Sequence, residues 1–299
     1  MFKPRSLLLA LVASSLLHTA AHAASTAEPV RVLASLPITY GLGAALLKDS
    51  GVELQRAAPA NLPGTRQNAY FTGRGAEALK KQAVAADAVI ALRSVWPDDS
   101  LYPVARRQNI RIVEVDAARP IDGALAGVAL QPGLSGLNSQ PWLASTNMGR
   151  MADVIAADLG RLAPAAKPKI EHNLAGLKQR LLKLSADSEA ALAKVDNLSL
   201  YSLSERFAYL ASGLNLDLVG TQALDDREWT ADAVKQLEAT LRESDVAVVI
   251  DHRQPPEPVA QAIKAAGSRL LVLAVDGEDP LAELENNVNG LVKALQPAG

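Results

Sequence analysis

The sequence predicts an α/β protein: two βα lobes with parallel sheets, joined by one long rigid backbone helix. Three observations carry this expectation. Short β-rich runs alternate with amphipathic segments in the first half of the chain, the same alternation resumes beyond residue 195, and a single uninterrupted apolar stripe of helical spacing lies between them.

Residues 1–23 come first and belong to neither lobe. Lys3 and Arg5 precede an apolar stretch from Leu7 to Leu17, and Ala21, His22 and Ala23 form the small-x-small arrangement that a signal peptidase accepts. The apolar stretch is about 11 residues, where a membrane-spanning helix needs roughly 20. A secretory signal cut near Ala23 is therefore expected, with the mature protein exported. Residues 24–165 form the predicted N-terminal lobe. Its strands are VRVLASL from Val30, VELQRA from Val52, DAVIAL from Asp87 and IRIVEV from Ile110.

The connecting helix is predicted over 166–195. Ile170, Leu174, Leu177, Leu181 and Leu184 follow one another at steps of four, three, four and three, which puts them on one face. Such a helix spans roughly 40 Å at about 1.5 Å per residue, too long for a crossover inside one small lobe. A dimerising coiled coil would want more heptads and charged flanking positions, so a helix bridging both lobes is expected; a monomer is the default for a receptor that docks by its lobe tips. The C-terminal lobe is predicted over 196–299, with strands LSLYS from Leu198, LDLVG from Leu216, VAVVID from Val246 and LLVLAV from Leu270. Its helices show Val234, Leu237 and Leu241 on one face, then Leu281, Leu284 and Val288. Residues 59–75 and 117–141, rich in Pro, Gly, Asn and Ser, read as long loops, which in compact domains are usually functional or disordered.

Composition excludes several kinds of chemistry. Cysteine is absent, so disulfides, thiolate metal sites and a cysteine nucleophile are excluded. After signal removal only His172 and His252 remain, too few for a multi-histidine zinc site. With Lys3 and Arg5 gone, 28 basic residues face 32 acidic ones, which implies no nucleic-acid surface. His172 lies two residues from Ile170 on the predicted helix, a turn of roughly 200°, and is expected in solvent. Asp251 beside His252 could supply a general base, yet the chain has neither a Gly-x-Ser-x-Gly elbow nor a phosphate-cradling Gly-rich loop. No enzyme activity and no organic cofactor are expected.

Ligands of open α/β sheets bind beyond the carboxyl ends of the strands. There the sequence puts Arg93, then Ser204, Glu205 and Arg206, then Asp251, His252 and Arg253, then Asp276 and Glu278. For any one of these an ordinary loop charge is the simpler reading; the set as a whole marks a candidate site.

The runs VRVLASLPITYGLGAAL, AADAVIAL from Ala85, PWLASTNMGRMADVIAADL from Pro141, SERFAYLASGLNL from Ser204 and VLAVDGEDPLAEL from Val272 resemble the periplasmic substrate-binding proteins of ABC-type zinc, manganese and iron transporters. The resemblance covers nearly all of the mature chain, in order and texture more than in one sharp motif. It implies a metal cargo and an inner-membrane permease as partner. It also implies where metal ligands would stand. The family's His two residues before a Trp is replaced here by Gln140, ahead of Trp142. The His of the loop before the second helix falls near Tyr70 or Phe71, the third ligand falls at Ser204 or Glu205, and only the Asp after the last strand is kept, as Asp276.

Gln140, Glu205, Asp276 and Tyr70 are thus the candidate metal ligands. Their oxygen donors suit iron or manganese better than zinc. Arg66, Arg74, Arg93 and Arg206, with Trp142, form a second candidate set. Converging arginines would repel a bare cation by about 4 kcal/mol per charge pair at 4 Å and an effective dielectric of 20, and would suit an anion or a chelated metal. The run NLPGTRQNAYFTGRG resembles a divergent branch of the family associated with iron release from a ferric siderophore, which implies a second periplasmic siderophore-binding protein as a further partner.

Overall fold

The structure, a computed structural model, describes residues 28–123, 125–134 and 136–296. The signal segment expected over residues 1–23 lies outside the described residues.

All eight predicted strand runs contain a strand. Arg31–Ala34 (β1), Glu53–Arg56 (β2), Ala88–Ala91 (β3) and Val113–Asp116 (β4) form one parallel sheet in the order β2-β1-β3-β4. Ser199–Ser202 (β5), Asp217–Thr221 (β6), Val248–Asp251 (β7) and Arg269–Val272 (β8) form a second, in the equivalent order β6-β5-β7-β8. The helices are Pro37–Leu47 (α1), Gly64–Thr72 (α2), Ala76–Ala85 (α3), Leu101–Arg106 (α4), Ser145–Leu162 (α5), Lys167–Leu192 (α6), Ala208–Gly213 (α7), Ala231–Glu243 (α8), Glu257–Ala265 (α9) and Pro280–Leu295 (α10).

Strand burial follows position. The inner strands β3, β5 and β7 are buried along their whole length, whereas the edge strands β2, β6 and β8 are partly exposed. Inner strands are covered by helices on both faces and read as continuous apolar runs. Their alternating side chains feed different cores. Val32, Ile90, Leu200 and Ile250 join one continuous core shared by both lobes and by α5, α6 and α10. Leu33 and Val89 turn instead to a satellite core with Phe71, Leu79 and Leu101, and Val249 to another with Leu237, Leu241 and Val259.

Helix α6 buries Ile170, Leu177, Leu181 and Leu184 and half-buries Leu174, while His172 is exposed. At 26 residues it is about 39 Å long. It packs on α1 and α5 from the first half and on α10 from the second. Asn173 on this helix donates to the carbonyls of Leu46 (2.9 Å) and Lys48 (2.8 Å), capping the C-terminus of α1. Among the described residues no helix is long and apolar enough to cross a membrane.

One loop expectation is corrected. Residues 59–75 contain α2, whose ends are the Pro and Gly that suggested a loop: Pro63 precedes the helix and Gly73 ends it. Gln67 and Phe71, one turn apart, are buried and anchor it, with Gln67 Nε2 donating to the Ser35 carbonyl at 3.2 Å. The described residues of 117–141 contain one 3₁₀ turn, Leu137–Ser139, and otherwise follow an irregular path. Asn147 holds that path by accepting from Ala129 N (3.2 Å) and donating to the carbonyls of Ala129 and Pro141 (3.1 Å each).

The seam between the lobes is tied on both sides. A Cβ on Gly41 of α1 would stand 2.3 Å from Pro280 Cδ and 2.7 Å from the Glu278 carbonyl, so only glycine allows this approach. Beside it the Arg56 guanidinium sits 3.8 Å over the Tyr40 ring and pairs with Glu278 at 3.1 Å. Across the molecule, the Gln131 amide donates to the Tyr209 hydroxyl at 2.7 Å.

Candidate functional site

In each sheet the strand order reverses around one central pair, β1/β3 and β5/β7, and segments following β1, β2, β5 and β8 meet at the seam. There a cavity of about 520 Å³ opens. Leu36–Ile38, Asn61–Thr65, Leu137, Asn138 and Trp142 line it from the first half, and Arg206 and Asp276 from the second.

The first half supplies backbone more than charge. Leu36 and Pro63 are the N-cap residues of α1 and α2 and carry no side-chain acceptor, so neither helix start is capped by a side chain. The first turns of both helices line the cavity, where the partial positive charge of a helix start favours an anion. Gly64 keeps this wall open: a Cβ there would fall 2.5 Å from Leu137 Cδ2 and 3.0 Å from Leu36 Cδ2.

The second half supplies the charges. Arg206 sits on the 3₁₀ turn Glu205–Phe207, whose Ser204 side chain accepts from the Arg206 amide at 3.4 Å. Asp276 follows β8 in a left-handed backbone, φ 64°. Its loop is held by Glu283, whose carboxylate accepts from the Gly277 amide at 2.7 Å; burial pushes the Glu283 pKa up, and the nearby Asp276 charge adds to the rise. Arg206 Nη1 pairs with Asp276 Oδ2 at 2.8 Å, and Gln140 Nε2 donates to Asp276 Oδ1 at 3.4 Å. Gln140 is buried, its Oε1 has no hydrogen-bond partner, and its backbone is also left-handed, φ 42°. That conformation costs a residue with a Cβ roughly 1–2 kcal/mol. Two strained residues joined side chain to side chain mark this end of the cavity as specified by the fold.

A second cavity of about 320 Å³ lies on the other side of Arg206, lined by Asn138, Ser204, Glu205, Asp225, His252 and Arg253 among others. Arg253 is committed to its loop, pairing with Asp226 at 3.1 Å and donating to the Leu224 carbonyl at 3.1 Å. Asp251 is buried, which raises its pKa; burial also lowers that of His252, whose Nδ1 lies 3.0 Å from Asp251 Oδ1 without hydrogen-bond alignment.

Gln140, Asp276, Arg206 and Trp142 are brought together at the first cavity. The other expected residues stand elsewhere. Glu205 is exposed and lines the second cavity. Tyr70 packs edge-on against Phe71, ring centroids 5.7 Å apart, beside the satellite core, because it faces that core from within α2. Arg74 lies 5.5 Å over the Tyr70 ring, and Arg66 projects exposed from the same helix. Arg93 pairs with Glu114 at 3.3 Å in a separate cleft at the edge of the first sheet. The expected four-donor set therefore does not assemble, and among the described residues no group of three or more His, Asp or Glu is placed to hold a metal ion. The one matching carboxylate, Asp276, already has a guanidinium partner.

Sequence reading missed the two helix starts. Their signal is SLPIT and NLPGT, two Leu-Pro steps that begin or adjoin a helix without the usual polar N-cap.

Two parallel α/β lobes around a cavity at their shared seam, with one long helix packed on both, define a solute-binding protein of the rigid-spacer kind. The family described as zinc-uptake complex component A, periplasmic, matches residues 53–295, and the chain belongs to that family. It is thus a transport binding protein of a class that works with ABC permeases, not an enzyme. A structure of an FpvC mutant from Pseudomonas aeruginosa is similar at a TM-score of 0.70 and 21% identity, over 89% of this chain and 99% of that one. FpvC from the same organism in complex with Mn²⁺ is similar at 0.68 and 20%, over 89% and 98%. A crystal structure of ZnuA is similar at 0.66 and 18%, over 90% and 100%. No curated protein matches the chain.

Proposed function

We propose that this protein is the capture subunit of a periplasmic metal-uptake system whose cargo reaches the cleft as an anionic chelate, with iron or manganese favoured over zinc. The observation that carries this reading is the Arg206–Asp276 pair at 2.8 Å inside a cavity of about 520 Å³. The guanidinium cancels the one carboxylate that lines the cavity, and the uncapped starts of α1 and α2 add partial positive charge. A bare cation meets a poor reception there; a carboxylate-bearing chelate can pair with Arg206 and rest on Leu36, Leu62 and Trp142. The cavity offers amide, hydroxyl and carboxylate oxygens and no imidazole, which suits hard, oxygen-chelated metals. A ferric siderophore is a source of such cargo, with a second periplasmic siderophore-binding protein as donor and a permease as acceptor. The protein acts as a monomer.

The competing reading is a bare ion at Gln140, Asp276 and Glu205, favoured by FpvC, which forms complexes with Mn²⁺ and with Ni²⁺. Native mass spectrometry of the protein purified without chelators separates the two. An adduct combining metal and organic mass is the expected result; a single bare metal ion on each molecule would replace the chelate reading with the competing one.

A further inference from the structure

Resting on the reading that the seam cavity holds the cargo, we infer that Arg206 is the residue that sets the charge class of that cargo: its guanidinium is a built-in cation that keeps free divalent ions off Asp276. Both oxygens of Asp276 already face N–H donors, Arg206 Nη1 at 2.8 Å on one and Gln140 Nε2 at 3.4 Å on the other. The guanidinium is the more enclosed partner, with 24% of the side chain exposed against 44% for Asp276. Its main chain is pinned by the Ser204 cap, and Ser204 is itself tied through its carbonyl to the Ser202 hydroxyl at 2.6 Å. Arg206 also lines both cavities and, with Asn138, stands between them.

An arriving divalent ion must displace a fixed positive charge or sit beside it, and like charges at such range repel. Without that charge Asp276 is the one charged side chain left lining the cavity. Asp276 remains, Glu283 holds the same loop from one residue further along, and Gln140 has a buried Oε1 with no partner that a turned amide would present to a cation. The fold thus retains the makings of an oxygen-donor cation site, silenced by one side chain.

The test is calorimetric titration of Mn²⁺ into the full chain in chelator-free buffer, using wild type, Arg206→Gln, Arg206→Met and Arg206→Lys. Wild type and Arg206→Lys should bind Mn²⁺ at least about tenfold more weakly than the two neutral variants, each of which should bind one ion. Adding Asp276→Asn to Arg206→Gln should abolish that gain. Wild-type binding as tight as that of Arg206→Gln overturns the inference. So does the lack of any gain in both neutral variants while their circular dichroism and melting match wild type. Ferric citrate titrated into wild type keeps this result apart from the cargo reading: a wild type that rejects both probes while Arg206→Gln takes Mn²⁺ leaves Arg206 as the selectivity residue and removes the chelate.

Discussion

The two lobes share one strand order and contribute opposite chemistry to the cavity between them. The N-terminal lobe brings apolar side chains, amides and two helix starts; the C-terminal lobe brings the charges, Arg206 and Asp276. At this cavity one lobe lends a cation no anionic or imidazole donor, while the other neutralises its own carboxylate with Arg206. Repetition of a fold therefore does not repeat its chemistry, and the contrast between the two walls says more about the cargo than the shared architecture does.

The largest expected way to break that arrangement is to push the walls apart. Gly41→Val puts a side chain into Pro280 and the Glu278 carbonyl and should cost about 3 kcal/mol by chemical denaturation. Gly176→Ala on the connecting helix, where a Cβ meets nothing within 4 Å, should instead stabilise by about 0.5–1 kcal/mol. Equal effects at both positions would mean that the lobes do not depend on close approach at the seam.

A smaller effect separates the lobes by pH. In the N-terminal lobe Asp99 accepts from the Leu92 amide at 2.8 Å and from the Leu101 amide at 3.3 Å, and burial raises its pKa to about 6. The folded state therefore holds this proton more tightly than the unfolded chain, whose value is near 4. Its contribution to stability grows as pH falls through about 6, is complete below the unfolded value, and is lost as pH rises again. Asp99→Asn should remove about 2 kcal/mol of pH dependence between pH 7 and 4; parallel stability curves for the two proteins would show that Asp99 does not titrate in this window. The smallest effect concerns the tie beside the cavity. Arg56→Ala loses the ring contact with Tyr40 and the pair with Glu278, for about 1 kcal/mol, and Arg56→Gln should recover little of it.

Much of this architecture was legible because it rests on periodicity. Val32 and Leu33 feed opposite faces of one strand, and Ile170, Leu177, Leu181 and Leu184 share one face of a helix; both are local rules readable at fixed spacing. The site was legible only in part because its geometry is long-range. Gln140 and Asp276, 136 residues apart, share a hydrogen bond that no spacing rule anticipates. Tyr70 stands away from the cavity because helix phase decides where it points: the loop expected around it folds into α2 and turns it toward Phe71. Glu205 and Arg206 are adjacent, yet a tight turn leaves Glu205 on the second cavity alone while Arg206 lines both, and strand-end position alone could not choose between them.

The side chain of Asn173 reaches from the connecting helix to the far end of α1, whose opposite end forms part of the cavity wall. The spacer is thereby joined to the pocket as an axle is to a spoke: one helix, α1, carries the Asn173 tie at one end and cavity wall at the other.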